Sequence, residues 1–238
     1  MAFRSSKQAR AYVGRLDASC YARTASVDSP TEMLDTTTLC DTAKAFIVGD
    51  EESSFSVAGP LDTDATADAQ YDAITDIKAS TTPIPITYMP LGTDGAAWLM
   101  DANETNIGFS GGVGSTVDWS VEAQTTGQTD YNGTVLSNAA AVTATANGAS
   151  VDGGAATANG AVAHLHVTAY AGLTSDDITI EDSATGSSGW ATIGTFAQFT
   201  GVTAERITIA GAVKRYVRVV DTVVGVGSTT RTVAMSRR

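Results

Sequence analysis

Hydrophobic and polar positions alternate most cleanly over residues 116–124. Val117, Trp119, Val121 and Ala123 interleave with Asp118, Ser120, Glu122 and Gln124. A period of two predicts a strand with one face in a core and the other in solvent. Residues 53–58 repeat the pattern on a smaller scale: Phe55 and Val57 share a face, Ser54 and Ser56 the other, and Gly59-Pro60 ends the run. The period changes over 62–78, where Ala67, Tyr71, Ile74 and Lys78 fall three and four apart. That spacing predicts a helix, with Asp64 or Thr66 as its N-cap and Lys78 on the favourable side of the helix dipole. Pro83, Pro85 and Pro90 then restrict 83–90 to an edge strand or a polyproline-like run, because proline cannot donate to a ladder; a central strand is excluded on this reading.

The second half reads as a series of strands. Ala163, Leu165, Val167 and Ala169 alternate with His164, His166, Thr168 and Tyr170, which places both histidines on the solvent side. Ile178 and Ile180, Ile207 and Ile209, residues 216–220 and residues 232–235 follow, separated by glycine-rich turns at 185–189, 210–211 and 225–228. Short strands punctuated in this way predict a β-sandwich. The fold class expected is all-β with one helix. An Ala/Thr/Asn/Gly-rich region reaches Gly160, with short, weakly apolar strands in 134–151, and the joint between two units falls at 128–136. The expected division is 1–130, with 1–20 as an N-terminal arm, and 131–238.

Charge sharpens this division. The chain carries a net charge of −12. Residues 1–128 hold 18 acidic and 7 basic side chains, net −11, and residues 129–238 hold 8 and 7, net −1. So negative a first half repels phosphate backbones and argues against tight nucleic-acid binding. Arg4, Lys7, Arg10 and Arg15 give the N-terminus a basic character without the apolar run of a secretory signal, and no stretch has the length of a transmembrane helix. Cys20 and Cys40 are expected to be free thiols.

The candidate chemistry is sparse. His164 and His166 point the same way from one strand but have no third ligand at zinc spacing. Asp62, Asp64 and Asp68 resemble the start of a calcium loop, yet Ala67 stands where that loop needs glycine and Ala73 where it needs a bidentate glutamate. Asp176, Asp177, Glu181 and Asp182 form an acidic cluster that surface turns commonly show. The glycines at 108, 111, 112 and 114 precede a strand and have no Lys-Ser/Thr, so they predict a bend and not a phosphate cradle. Neither histidine lies near a Gly-x-Ser-x-Gly elbow. No catalytic residue, metal site or cofactor is expected, and the function classes left are structure and binding.

Met33-Leu-Asp-Thr-Thr-Thr-Leu-Cys-Asp-Thr-Ala-Lys-Ala-Phe-Ile-Val-Gly49, Ser54-Phe-Ser-Val-Ala-Gly59 and Asp62 resemble, in order and spacing, the major tail proteins of siphophages; the strand at 117–123 followed by Gly127 is similar to the strand that closes their domain. Asp50-Glu51-Glu52 departs from the basic or neutral turn common there. The likeness covers about residues 24–130. Ile178-Thr-Ile-Glu-Asp-Ser183, Gly189-Trp190 and Lys214-Arg-Tyr-Val-Arg-Val-Val220 resemble discoidin-like jelly rolls, with Trp190 as an apolar anchor. The resemblances imply a tail-tube β-barrel or sandwich followed by a decorating β-sandwich. They imply a virion protein assembled in the host cytoplasm into hexameric rings, stacked as a tube through which phage DNA passes without specific binding. Tape-measure and tail terminator or tip proteins would be its partners. Asp118, Ser120 and Glu122 would face the lumen, and Arg4, Lys7 and Arg10 would form an arm that docks on an acidic neighbour. The alternative is a carbohydrate-binding or capsid-decorating virion protein that uses the C-terminal sandwich, with a host-surface glycan as its ligand.

Overall fold

The computed structural model describes residues 8–40, 42–62, 67–92, 96–127 and 129–238. In chain order its elements are β1 (Arg10–Val13), β2 (Leu16–Asp17), β3 (Thr24–Asp28), β4 (Thr31–Asp35), β5 (Phe46–Glu51), β6 (Ser54–Pro60), α1 (Ala67–Ala79), β7 (Ile84–Met89), β8 (Ala96–Ser110) and β9 (Asp118–Thr125). They continue with β10 (Asp130–Val142), β11 (Ala146–Asn147), β12 (Val151–Asp152), β13 (Ala161–Ser183), β14 (Ala191–Thr195), β15 (Thr203–Ile209) and β16 (Tyr216–Arg237). The fold is all-β with one helix among the described residues. Its main sheet runs β14-β13-β16-β10-β8-β7-β1-β2, and β9, β6 and β3 continue in turn from β8. β4 and β5 form a separate two-stranded sheet.

The first core lies between α1 and the β6–β9–β8 face. Phe55, Val57, Trp119, Val121 and Ala123 point into it from alternate strand positions, as their period requires. Ala73, Ile74 and Ile77 cover them from the helix. Gln70, Ala73, Ile74 and Ile77 form the buried stripe, so Tyr71 is rotated to the rim, 48% exposed and tilted against Phe109. Of the periodic positions Tyr71, Ile74 and Lys78, only Ile74 is buried, and Lys78, in the last turn, pairs with Glu104 at 2.9 Å. Asp64 and Thr66 lie outside the described residues. Val117, expected in the core, precedes β9 and is 44% exposed.

The prolines did not keep β7 at an edge. It is central, paired with β1 from Ile86 to Met89 and with β8 from Ile84 to Tyr88. Pro83 and Pro90 flank the strand. Pro85 sits opposite Gly14, just beyond the β1 ladder, where it accepts from the Gly14 N–H at 3.0 Å. Only its reciprocal donation is missing, so the strand loses one hydrogen bond and keeps its place.

β13 and β16 pair along almost their whole lengths of 23 and 22 residues, then double back on themselves as one ribbon. Register shifts between Val167 and Ser175 make the bend. Gly227 is needed there because a Cβ would lie 2.0 Å from the Ala171 carbonyl oxygen. The doubling brings Leu165, Val167, Val233 and Met235 of one limb against Ile178, Ile180, Val217 and Val219 of the other, which makes the second core a sandwich. Arg231 and Asp221, ten residues apart on one strand, meet across it in a bidentate pair at 2.6 and 2.5 Å, each side chain 3% exposed. On a straight strand they would be ~33 Å apart.

Asp176 lies beside this pair, fully buried, and burial together with Asp221 pushes its carboxyl up to about 6. Arg231→Met leaves two buried carboxylates without a counter-ion and is expected to cost about 3–5 kcal/mol in urea unfolding at pH 7. Arg218→Met, at a partly exposed pair with Glu181, is expected to cost about 1 kcal/mol or less. Because Asp176 binds its proton more tightly folded than unfolded, its penalty is present at pH 7 and disappears as pH falls through about 6 toward 4. Asp176→Asn should therefore raise Tm at pH 7 and leave it nearly unchanged at pH 4.

Candidate assembly surfaces and the joint between the halves

The polar side of the β3–β6–β9–β8 sheet is built in rows. Ser26, Ser56, Glu122 and Asn106 lie side by side across four strands; Asp28, Ser54, Gln124 and Asn103 form the next row toward one end. Ser26 and Ser56 hydrogen-bond at 2.8 Å. Asp118, Ser120 and Glu122 all lie on this side of β9, with Glu122 exposed and Asp118 paired with Arg23 at 3.2 Å. The period-two reading of β9 thus separates a buried face from a face of short polar groups. Arg10 opens β1 opposite Met89, while Arg4 and Lys7 lie outside the described residues.

At the end of this sheet marked by Asp28 and Ser54, the chain leaves as the β4–β5 hairpin. Leu34 pairs with Ile47 and Met33 with Val48. All four, and Phe46, are between 42% and 69% exposed. The sequence places apolar residues consecutively here, at 33–34 and 46–48, so both faces of a two-stranded ribbon are apolar. An isolated hairpin cannot bury both. That lack of alternation is the signal sequence reasoning passed over. At the opposite end of the sheet, beyond Pro60 and Asp118, Phe109, Val113 and Val117 are also exposed around the β8–β9 turn.

The two halves meet at β10, which pairs with β8 on one side and β16 on the other, and at a second, dry contact. Tyr12, Met89, Ala97, Leu99 and Ala234 form an apolar cluster across it. His164 and His166, expected in solvent, are both 0% exposed. Residues 161–167 are covered on both faces, by the sandwich core on one and by β1 and β7 on the other, and the alternation could not reveal the second cover. His166 Nδ1–H donates to the Gly14 carbonyl at 2.7 Å, the acceptor that Pro85 leaves free. That fixes the tautomer: Nε2 is bare and accepts from the Thr87 hydroxyl at 2.8 Å. Thr87 Oγ1 in turn accepts from His164 Nδ1–H at 3.1 Å. Tyr12 stacks on His166 with ring centroids 5.4 Å apart. Desolvation, above all, holds the His164 imidazole well below its usual range and His166 down to about 4.

The acidic cluster separates onto different partners. Asp177 accepts from Gln198, Glu181 pairs with Arg218, Asp182 accepts from Lys214, and Asp176 lies by Asp221 and Arg231. Among the described residues no group of three His, Cys, Asp or Glu is placed to hold a metal ion. Cys20 and Cys40 are free and exposed. Trp190 is partly exposed and carries the Arg218 guanidinium 4.3 Å above its ring, an interaction more than an anchor. No described helix is long and apolar enough to cross a membrane.

No family model matches the chain, and no curated protein matches it. Among solved structures it is similar to a chain of the virion of a native gene transfer agent particle, at 15% identity and TM-score 0.44 over 54% of this chain and 98% of that one. It is similar to the SPP1 tail tube, at 17% identity and TM-score 0.41 over 52% of this chain and 76% of that one. It is also similar to the SPP1 Dit protein of the phage adsorption apparatus, at 12% identity and TM-score 0.35 over 96% and 99% of the two chains.

Thr87→Val removes the donor to His166 and the acceptor for His164 while keeping volume. It is expected to destabilise the protein by about 2–4 kcal/mol in denaturant unfolding, whereas Thr87→Ser, which keeps the hydroxyl, stays near wild type.

Proposed function

We propose that the chain is a structural virion protein, the major tail protein of a long-tailed phage, assembling into stacked rings that form the tail tube. The observation that carries this reading is the β4–β5 hairpin. Its apolar residues are exposed on both strands, and covering five half-exposed side chains contributes ~5 kcal/mol before the cost of association. The hairpin and the apolar β8–β9 turn stand at opposite ends of one sheet, with strand β6 between them. Surfaces at opposite ends cannot satisfy each other within a closed pair; a head-to-tail contact between them repeats without closing, as a tube requires.

The two cores support reading 1–130 and 131–238 as two units joined through β10, the first forming the tube wall and the second facing outward. We place the short polar side chains Asp118, Ser120 and Glu122 on the lumen, where an acidic wall lets DNA slide without adhering. Arg4, Lys7 and Arg10 serve as an arm toward an acidic neighbouring subunit, and tape-measure and terminator or tip proteins set the length and ends of the tube. The chemistry is that of assembly, without a catalytic step.

Negative-stain microscopy of the purified protein should show rings or tubes. Leu34→Lys with Ile47→Lys should abolish them while unfolding free energy changes by less than about 1 kcal/mol, since both residues lie on the surface. Persistent monomers that decorate capsids, or tubes undisturbed by the double variant, would overturn the reading. For the lumen, Glu122→Cys in a Cys20→Ser, Cys40→Ser background, labelled with a maleimide gold cluster before assembly, should place density inside the wall. Density on the outer surface would refute that placement.

A further inference from the structure

The two histidines of the chain are spent on one contact. His164 and His166 both bond Thr87 Oγ1 across the joint, and His166 also bonds the Gly14 carbonyl, so the whole bridge between the halves at this point consists of neutral imidazoles and one hydroxyl. The direction of each bond follows, and His164 Nε2 is left buried without a partner. The Thr87 proton goes to His166 Nε2, and the Thr87 oxygen receives the His164 proton. A proton added to His166 Nε2 turns that acceptor into a donor and leaves the Thr87 O–H without a partner in a dry site. A proton on His164 introduces an unpaired charge there.

Only backbone groups favour a protonated ring, at Ile86 for His164 and at Gly14 for His166, and burial outweighs both. Arg206 on β15 stands opposite His164 and disfavours its cation, and Asp101 on β8 is 3.9 Å from Arg206. Tyr12 on β1 stacks on His166 and is itself acted on by Arg10 and Asp17. β16 presents Ala234 and Thr232 opposite the two histidines. Among the described residues no carboxylate contacts either ring.

We propose that the His164–Thr87–His166 bridge is an acid-released latch: protonation of either imidazole opens the joint between the halves while the core of each half stays closed. The closed joint holds both rings neutral, and the open joint exposes them to water, where they bind protons below about 6.5. The open state therefore binds more protons, so the closed state weakens as pH falls from about 6.5 toward 4. With two histidines, the opening constant is expected to rise roughly 500-fold between pH 7 and pH 5.

The test is an acid titration of the full-length protein followed by histidine side-chain NMR and by amide hydrogen exchange. Both imidazoles should stay in the neutral Nδ1–H form until the joint opens, then become imidazolium together. Exchange along the β8–β10 ladder, at residues 96–99 and 130–134, where backbone hydrogen bonds cross the joint, should rise in the same step. Residues 55–57, 119–123, 178–180 and 217–219 should keep their protection. His164→Asn with His166→Gln retains a donor and an acceptor for Thr87 but does not titrate, and its joint should stay closed at pH 5. Three results would each overturn the latch: histidines neutral to pH 4 in a closed joint, loss of both cores in the same step as the joint, or a double variant that opens at the wild-type pH. Should that variant fail to fold, the two wild-type measurements decide alone.

Discussion

The first limb of β13, residues 161–167, is buried on both faces, and the rest of the molecule is arranged around that constraint. Leu165 and Val167 enter the sandwich core, while His164 and His166 point the other way, onto β1 and β7. A strand covered on both sides cannot be displaced without opening two layers. It joins the helix-covered sheet of the first half to the folded ribbon of the second, and the β10 ladder adds a second tie between them. Polar groups in such a place must find partners, and the imidazoles find a carbonyl that proline has released and a threonine hydroxyl.

Pro85 illustrates how a local rule is met and then used. The missing N–H denies Gly14 its reciprocal ladder bond. In an isolated strand this would be a defect; here the vacant carbonyl lone pairs receive His166 from another layer. The Arg231–Asp221 pair works similarly on a larger scale. Two charges distant in extended chain become adjacent once the ribbon doubles back, and each neutralises a group that could not otherwise remain in the core. Asp176, beside them, shares that environment without sharing the pairing.

Away from these buried contacts, the molecule leaves apolar surface at two opposite ends of one sheet and short polar side chains along the sheet's outer face. Soluble proteins scatter exposed apolar residues singly; a hairpin apolar on both faces is a surface awaiting cover. The distribution is directional, with one apolar end at β4–β5 and another at the β8–β9 turn. The acidity of residues 1–128 adds long-range repulsion toward polyanions along the same half.

The alternation within 53–58 and 116–124, a helix within 62–78 and the strand-rich second half were legible in the sequence because local periodicity reports which residues share a face. The phase of the helix was not legible, since the choice of Gln70, Ala73, Ile74 and Ile77 over Tyr71 as the buried stripe depends on what the helix packs against. The burial of His164 and His166, the central place of β7 and the exposure of Met33, Leu34, Phe46, Ile47 and Val48 were decided by tertiary structure alone. Alternation says that a strand has two different faces. It does not say how many layers cover them, and that number depends on contacts made 77 and 152 residues away.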